Sequence, residues 1–219
     1  MNRKKAAYAI LSGLIACVFA IVGVRYFVTG SLPSHSKNIE SATLVPDRLI
    51  KEKQIVQYGF PKVNLDAGYI GFGDLDALEE HSDIIAVGTP VLPFEERENT
   101  TSRYDDGVMQ DFATITDFAV DTVIKDPGQI VQNGQVTFYE PIAFADRMDG
   151  SKALFSIADY RELQYGNRYV VFLSDNGHNG YGIINMNNGT FNMDKSDRTS
   201  GDPTHHKLMT QIFGKYDLE

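Results

Sequence analysis

The chain has 219 residues, of which 42% are hydrophobic and 22% are charged, a composition that excludes wholesale disorder. Its formal net charge of −9 argues against general nucleic-acid binding, because phosphate recognition needs a basic surface. Its single cysteine excludes both an intramolecular disulfide framework and a zinc site built on several thiolates.

The amino terminus has the pattern of a membrane anchor. Basic residues at positions 3–5 precede an uncharged stretch over 6–24, which as a helix matches the ~30 Å hydrocarbon core of a bilayer. An aromatic pair at 26–27 is typical of the lipid–water boundary. We therefore predict a cytoplasmic tail over 1–5 and a single transmembrane helix over 6–28 in contact with the lipid bilayer. The positive-inside rule then places the rest of the chain outside the cell membrane.

Two other fates of this segment stay open. The sequence Leu14-Ile15-Ala16-Cys17 fits a bacterial lipoprotein processing site, at which Cys17 would be lipidated, although the apolar run continues beyond it. Small residues near position 30 fit cleavage of a secretory signal peptide, although the apolar region is long for one. All three readings put the folded part outside the cytoplasm.

A linker or extension is predicted over residues 29–67, because it begins with serine, glycine and proline and contains Pro33, Pro46 and Pro61. The extracytoplasmic domain is predicted over 68–219. Residues 1–28 carry four basic and no acidic side chains, so the external part is more acidic than the chain as a whole.

The domain is predicted to open with a short helix and a buried strand. The capping-box pattern at 76–79 and its apolar neighbours favour a helix over 74–81. The β-branched run over 83–92 is typical of a buried strand, in which Pro90 implies a bulge or an edge. The polar segment 95–107 is predicted to be a mobile loop.

Strict alternation then predicts a long strand from Phe112 to Ile124, with one buried and one wet face. A turn at 126–128 and a strand over 135–140 follow, and the next segment has helical potential. The apolar run 168–173 predicts a central strand.

The last elements are a hairpin and a terminal helix. Segments 181–186 and 190–193 flank Asn188-Gly189, a strong hairpin signal. Asp202 before Pro203 predicts a helix start, and Gly214 its end.

These elements predict a mainly β fold: a small antiparallel OB-like barrel with short flanking helices, preceded by the transmembrane helix. A closed barrel of this type removes the exposed edges that such strands would otherwise leave.

Three segments, at 82–89, 118–128 and 165–173, resemble a group of Gram-positive surface proteins that are membrane-anchored or secreted and carry a small OB-like barrel. The resemblance implies an extracytoplasmic bacterial protein, and it brings no catalytic residues with it.

The sequence assembles no catalytic set and no metal site, so we predict a non-enzymatic binding or accessory protein of the cell envelope. Its partner would be an envelope protein or a glycan, and not a nucleic acid. The candidate ligand-stacking residues are Tyr139, Tyr169 and Tyr181, which lie on or beside strands.

Two alternatives remain. One is a carboxylate-dependent envelope glycan hydrolase, which would use Asp117, Asp121 or Glu140 in a groove. The other gives the acidic loops a role in calcium binding, although no segment completes an EF-hand loop; no other cofactor is predicted.

Overall fold

A computed structural model describes residues 56–178, 180–195 and 201–218. The predicted cytoplasmic tail, the predicted anchor over 6–28 and Cys17 lie outside the described residues. Within them, no helix combines the length and the apolarity needed to cross a bilayer.

Eleven strands and two α-helices make up the described part of the chain. They are β1 Val56–Gln57, β2 Phe60–Leu65, α1 Leu75–Glu80, β3 Ile84–Pro90, β4 Asn99–Arg103, β5 Met109–Lys125, β6 Gln135–Glu140, β7 Ile142–Asp146, β8 Lys152–Ile157, β9 Tyr169–Asp175, β10 Tyr181–Ile183, β11 Thr190–Asn192 and α2 Pro203–Tyr216. Short 3₁₀ turns cover Phe94–Glu96 and Met186–Gly189.

Five of the strands close a barrel, so the prediction of a mainly β fold with a small barrel is confirmed. Around the barrel the order is β3, β5, β6, β10 and β9, and β9 pairs with β3 to complete the circle. The β6–β10 pairing is parallel and the other four pairings are antiparallel. The prediction of an antiparallel barrel is therefore wrong for this one pair of strands. A parallel pair needs a long connection, which the chain between β6 and β10 supplies.

A second sheet, in the order β1-β2-β8-β7, is built largely from the connection between β6 and β9. The prediction of helical structure in this connection is wrong, because β7 and β8 form a hairpin there. Ala143, Ala153 and Leu154 of that hairpin are fully buried. The described end of the predicted linker also belongs to this sheet, because β2 pairs in parallel with β8.

The barrel interior is a continuous apolar core. Alternation along β6 sends Val136 and Phe138 inward, and Phe118 of β5 meets the ring of Phe138 with centroids 5.6 Å apart. Ile142 and Leu154 of the second sheet belong to the same buried cluster. The second sheet therefore shares its core with the barrel.

The two α-helices cover one side of the barrel from outside. Leu75 and Leu78 of α1 and Leu208 and Ile212 of α2 pack in one buried cluster with outward residues of β3, β9 and β11, such as Phe172. The caps are as the sequence indicates for α2, where the side chain of Asp202 accepts a hydrogen bond from the amide of Thr204. In α1 the cap is Asp74, two residues before the predicted capping box.

Three local predictions are wrong. The segment predicted as a mobile loop contains β4, which pairs with β5. Gly214 does not end α2, which continues to Tyr216. Asn188-Gly189 does not form a hairpin between β10 and β11, because both strands pair with β9, one beyond the other.

The excursion between β10 and β11 is held by three asparagine side chains. The side chain of Asn185 hydrogen-bonds both the backbone N–H and the carbonyl oxygen of Phe72. The side chain of Asn187 accepts a hydrogen bond from the backbone amide of Arg161, and that of Asn188 donates one to the carboxylate of Asp202. Gly189 packs so closely that a Cβ there would lie 1.8 Å from the carbonyl oxygen of Ile184. The tertiary contacts of the asparagines therefore override the local turn preference.

Candidate functional site

A fully buried ion pair lies at one end of the barrel interior. Arg97 Nη1 donates to Glu140 Oε1 at 2.6 Å, and both side chains are almost completely excluded from solvent. The second carboxylate oxygen accepts from the hydroxyl of Tyr160 at 3.0 Å and from the amide of Leu163 at 2.9 Å. Thr116 also donates to Oε1. The carboxylate is therefore enclosed by donors.

Burial raises the pKa of the Glu140 carboxyl, and the Arg97 guanidinium opposes that rise most strongly. Burial also raises the pKa of Tyr160 well above its usual value, and the neighbouring Glu140 adds to this effect. The remaining donors of Arg97 reach the carbonyl oxygens of Leu92 and Leu163. The pair thus fastens the segment before β4 to β6 and to the segment before β9.

The sequence contains one signal for this buried pair. Glu140 falls on the inward register of β6, two residues after Phe138, where an apolar side chain would be expected. Its partner Arg97 has no comparable signal, because it lies in a segment predicted to be a mobile loop. Sequence patterns alone therefore do not reveal the pair.

A second buried carboxylate holds the β1–β2 hairpin against the barrel. Glu162 accepts hydrogen bonds from Gln57 at 2.8 Å, Tyr58 at 2.6 Å and Gln164 at 2.6 Å. Burial and the bond to Glu162 raise the pKa of Tyr58 above its usual value. The Tyr58 ring lies 5.5 Å from that of Phe94. These contacts give the hairpin a structural role at the end of the barrel.

The structure does not bring the three predicted stacking tyrosines onto one face. Tyr169 is buried in the barrel interior, where its hydroxyl accepts from the amide of Gln164. Tyr181 pairs with Phe138 and packs against the same interior cluster. Tyr139 lies between the buried Phe138 and Glu140 on β6, so strand alternation turns it outward.

Tyr139 belongs to a partly exposed surface that we call the outer face, made of Val91, Ile115, Asp117, Ala119, Thr137 and Tyr139. Along β5 and β6 it is built from the cross-strand pairs Ile115–Tyr139 and Asp117–Thr137. Val91 joins it at the end of β3, where its amide donates to the carbonyl of Asp117 at 2.9 Å.

The outer face combines an aromatic ring with a carboxylate. The ring of Tyr139 lies against Gly180, where a Cβ would come within 2.5 Å of the ring atom Cε2. Asp117 is exposed and accepts a hydrogen bond from the Thr137 hydroxyl at 2.6 Å. Val91 is 37% exposed. The surface is therefore mixed, with apolar and acidic groups side by side and no basic residue among its six members.

The three carboxylates of the hydrolase alternative lie in different environments. Glu140 points into the core, whereas Asp117 and Asp121 point outward from β5. Asp121 forms an exposed ion pair with Arg168 at 2.9 Å. Glu140 therefore shares no cleft with either aspartate.

A depression of about 490 Å³ lies beside α1 and the end of α2. Ile85 and Ile124 line it together with charged groups, several of which bond one another across the two helices. Lys215 bonds Glu79 at 2.6 Å, and the hydroxyl of Tyr216 also donates to Glu79. These contacts join the two helices, so we assign them to stability.

Within the described residues, no group of three or more histidine, cysteine, aspartate or glutamate side chains is arranged to hold a metal ion. Comparison of the chain with family models, with curated proteins and with solved structures finds no match. The outer face is therefore the candidate site on the strength of its own geometry.

Proposed function

We propose that the protein is a single-pass, membrane-anchored binding protein of the bacterial cell envelope. In this proposal, the barrel lies outside the cell membrane and holds an envelope component or another protein on the outer face. The anchor rests on the sequence pattern over residues 6–28. The observation that carries the binding role is the asymmetry of the barrel: α1 and α2 bury one side, while the outer face on β5 and β6 stays partly exposed.

The strand order supports an OB-like form of the barrel. Numbered from β3, the closed circle runs first, second, third, fifth and fourth strand, with the third and fifth strands parallel. OB barrels bind oligosaccharides and oligonucleotides on the face of their second and third strands. In this chain those strands are β5 and β6, which carry the outer face. Asp117 on that face disfavours an oligonucleotide.

The environments of the acidic groups support binding rather than turnover. A glycoside hydrolase needs two carboxyl groups facing each other across the scissile bond. Glu140 is enclosed by four donors, and Asp121 is paired with Arg168. The hydrolase alternative therefore has less support than the binding role.

Site-specific photo-crosslinking on intact cells tests the proposal. A photoreactive phenylalanine analogue in place of Tyr139 should yield a discrete crosslinked product, because the bound component lies over that position. The same analogue in place of Tyr165, which is 60% exposed outside the outer face, is the matched control. Equal crosslinking at both positions, or none at Tyr139, would contradict the binding role.

A reporter fused to the carboxyl terminus tests the proposed membrane topology. Reporter activity found only in the cytoplasm would contradict that topology.

A further inference from the structure

The outer face presents a negative charge that no basic side chain neutralises in the described residues. Their ion pairs of 4.0 Å or less include Asp121 with Arg168 but none that involves Asp117. The bonded neighbour of Asp117 is instead the Thr137 hydroxyl, at 2.6 Å. A hydroxyl orients the carboxylate without cancelling its charge.

An aromatic ring lies one row away on the same face. Tyr139 and Thr137 are two residues apart on β6, so both side chains point outward, and Thr137 is directly opposite Asp117. Diagonal neighbours on a sheet lie within reach of long side chains. An ammonium or guanidinium group is attracted both to a carboxylate and to the face of an aromatic ring.

The rest of the face is suited to the apolar stem of such a side chain. Ile115 and Ala119 flank Asp117 on β5, and Val91 lies beside it. Lysine and arginine bury their methylene stems on apolar surface while the charged head stays near water or a partner. Residues 115–119 extend over about 13 Å, which corresponds to about four residues of an extended peptide.

We propose that the outer face binds an extended, basic polypeptide segment of another protein, with a lysine or arginine head group between Asp117 and Tyr139. This inference rests on the proposed binding role and specifies the partner. Charge complementarity supports it at long range as well, because a chain of net charge −9 attracts a cationic partner before contact. A neutral glycan would donate its hydroxyls to Asp117 but would leave the negative charge of the carboxylate uncompensated, whereas a basic side chain neutralises it.

The absence of tryptophan from the sequence allows a clean test. Tyr139→Trp keeps an aromatic ring and introduces a single tryptophan, which can be excited selectively over the tyrosines, into the full chain held in an uncharged detergent. Titration with decalysine should give a saturable emission change that is suppressed at high salt. Decaglutamate should give none. Calorimetric titration of the unsubstituted chain with decalysine guards against a reporter variant that folds poorly.

Asp117→Asn in the reporter background should weaken decalysine binding about two- to fivefold, because the amide keeps the Thr137 contact and loses the charge of an exposed ion pair. Glu80→Gln, which removes a charge from α1 away from the outer face, should leave the affinity unchanged. Tyr165→Trp, a reporter outside the face, should not respond. Equal responses from both reporters, or an affinity that Asp117→Asn leaves intact, would overturn the inference.

A neutral probe separates this inference from the proposed function. If chitotetraose shifts the emission of Tyr139→Trp and decalysine does not, the basic-peptide assignment is overturned while the binding role of the face stands. If neither probe binds and Tyr139 yields no crosslink on cells, both are overturned.

Discussion

Glu140 is a fully buried carboxylate that joins several parts of the chain. Its carboxylate receives four donors from three parts of the chain, and the Arg97 guanidinium supplies the only charged one. Burial of a charge costs desolvation free energy, and the attraction between the two charges offsets that cost only when both partners are present. Glu140 therefore ties the segment before β4 and the segment before β9 to the barrel.

Glu140→Gln should lower the free energy of unfolding by about 3 kcal/mol or more, because it leaves a buried guanidinium without a counter-charge. The new amide nitrogen would also face the amide of Leu163, which is itself a donor. Chemical denaturation of the full chain in neutral detergent measures the loss.

The exposed pair of Asp121 and Arg168 is the matched control for that measurement. Both side chains are about half exposed, at 50% and 49%, so solvent screens their attraction. Asp121→Asn should therefore cost less than about 1 kcal/mol. Similar losses for the two substitutions would mean that Glu140 is not held as a charged partner of Arg97.

Among the connecting elements, two Asn-Gly pairs adopt different structures. Asn133-Gly134 forms a two-residue turn, with both residues at positive φ and Gln132 and Gln135 exchanging backbone hydrogen bonds. Asn188-Gly189 does not, because the side chain of Asn188 bonds Asp202 instead. The two pairs share the same local preference, and only tertiary contacts distinguish them.

Tertiary contacts also separate the elements that follow their sequence pattern from those that do not. The burial pattern of β5 agrees with strict alternation from Phe112 to Phe118, since one face of that stretch meets the core. The segment that holds β4 is polar because that strand is largely exposed, so its pairing with β5 leaves no apolar signal. Likewise, the sequence predicts that Tyr139 lies on or beside a strand, but its separation from Tyr169 and Tyr181 depends on strand register.

Gly189 and Gly214 give opposite predictions. Gly189→Ala should destabilise the protein by about 2 kcal/mol or more, because the added Cβ meets the carbonyl oxygen of Ile184 at 1.8 Å. Gly214→Ala lies inside α2 with open space around its Cβ, and it should stabilise the protein by about 1 kcal/mol. Thermal unfolding of the two variants measures both. A neutral Gly189→Ala would mean that the excursion between β10 and β11 relaxes freely.

At the scale of the whole molecule, the barrel and the second sheet are joined through one core. Leu154 of β8 and Ile142 of β7 lie in the same buried cluster as Phe118 and Phe138 of the barrel. β5 also links them, because Phe112 near its start packs with Phe155 of β8 at a centroid distance of 5.8 Å. Neither sheet can lose its packing without exposing apolar surface of the other, so we expect them to unfold together.

Leu154→Ala should lower the free energy of unfolding by about 2–5 kcal/mol, because it empties volume in a fully buried position. The loss should appear as one shifted transition, with the same midpoint by far-ultraviolet and near-ultraviolet circular dichroism, because barrel and second sheet share the damaged core. Leu65→Ala on β2 of the same sheet is the control: Leu65 is 37% exposed, so its loss should stay below about 1 kcal/mol. Two separate transitions in Leu154→Ala would show that the second sheet is an independent unit, and the coupling that its buried contacts imply would then be wrong.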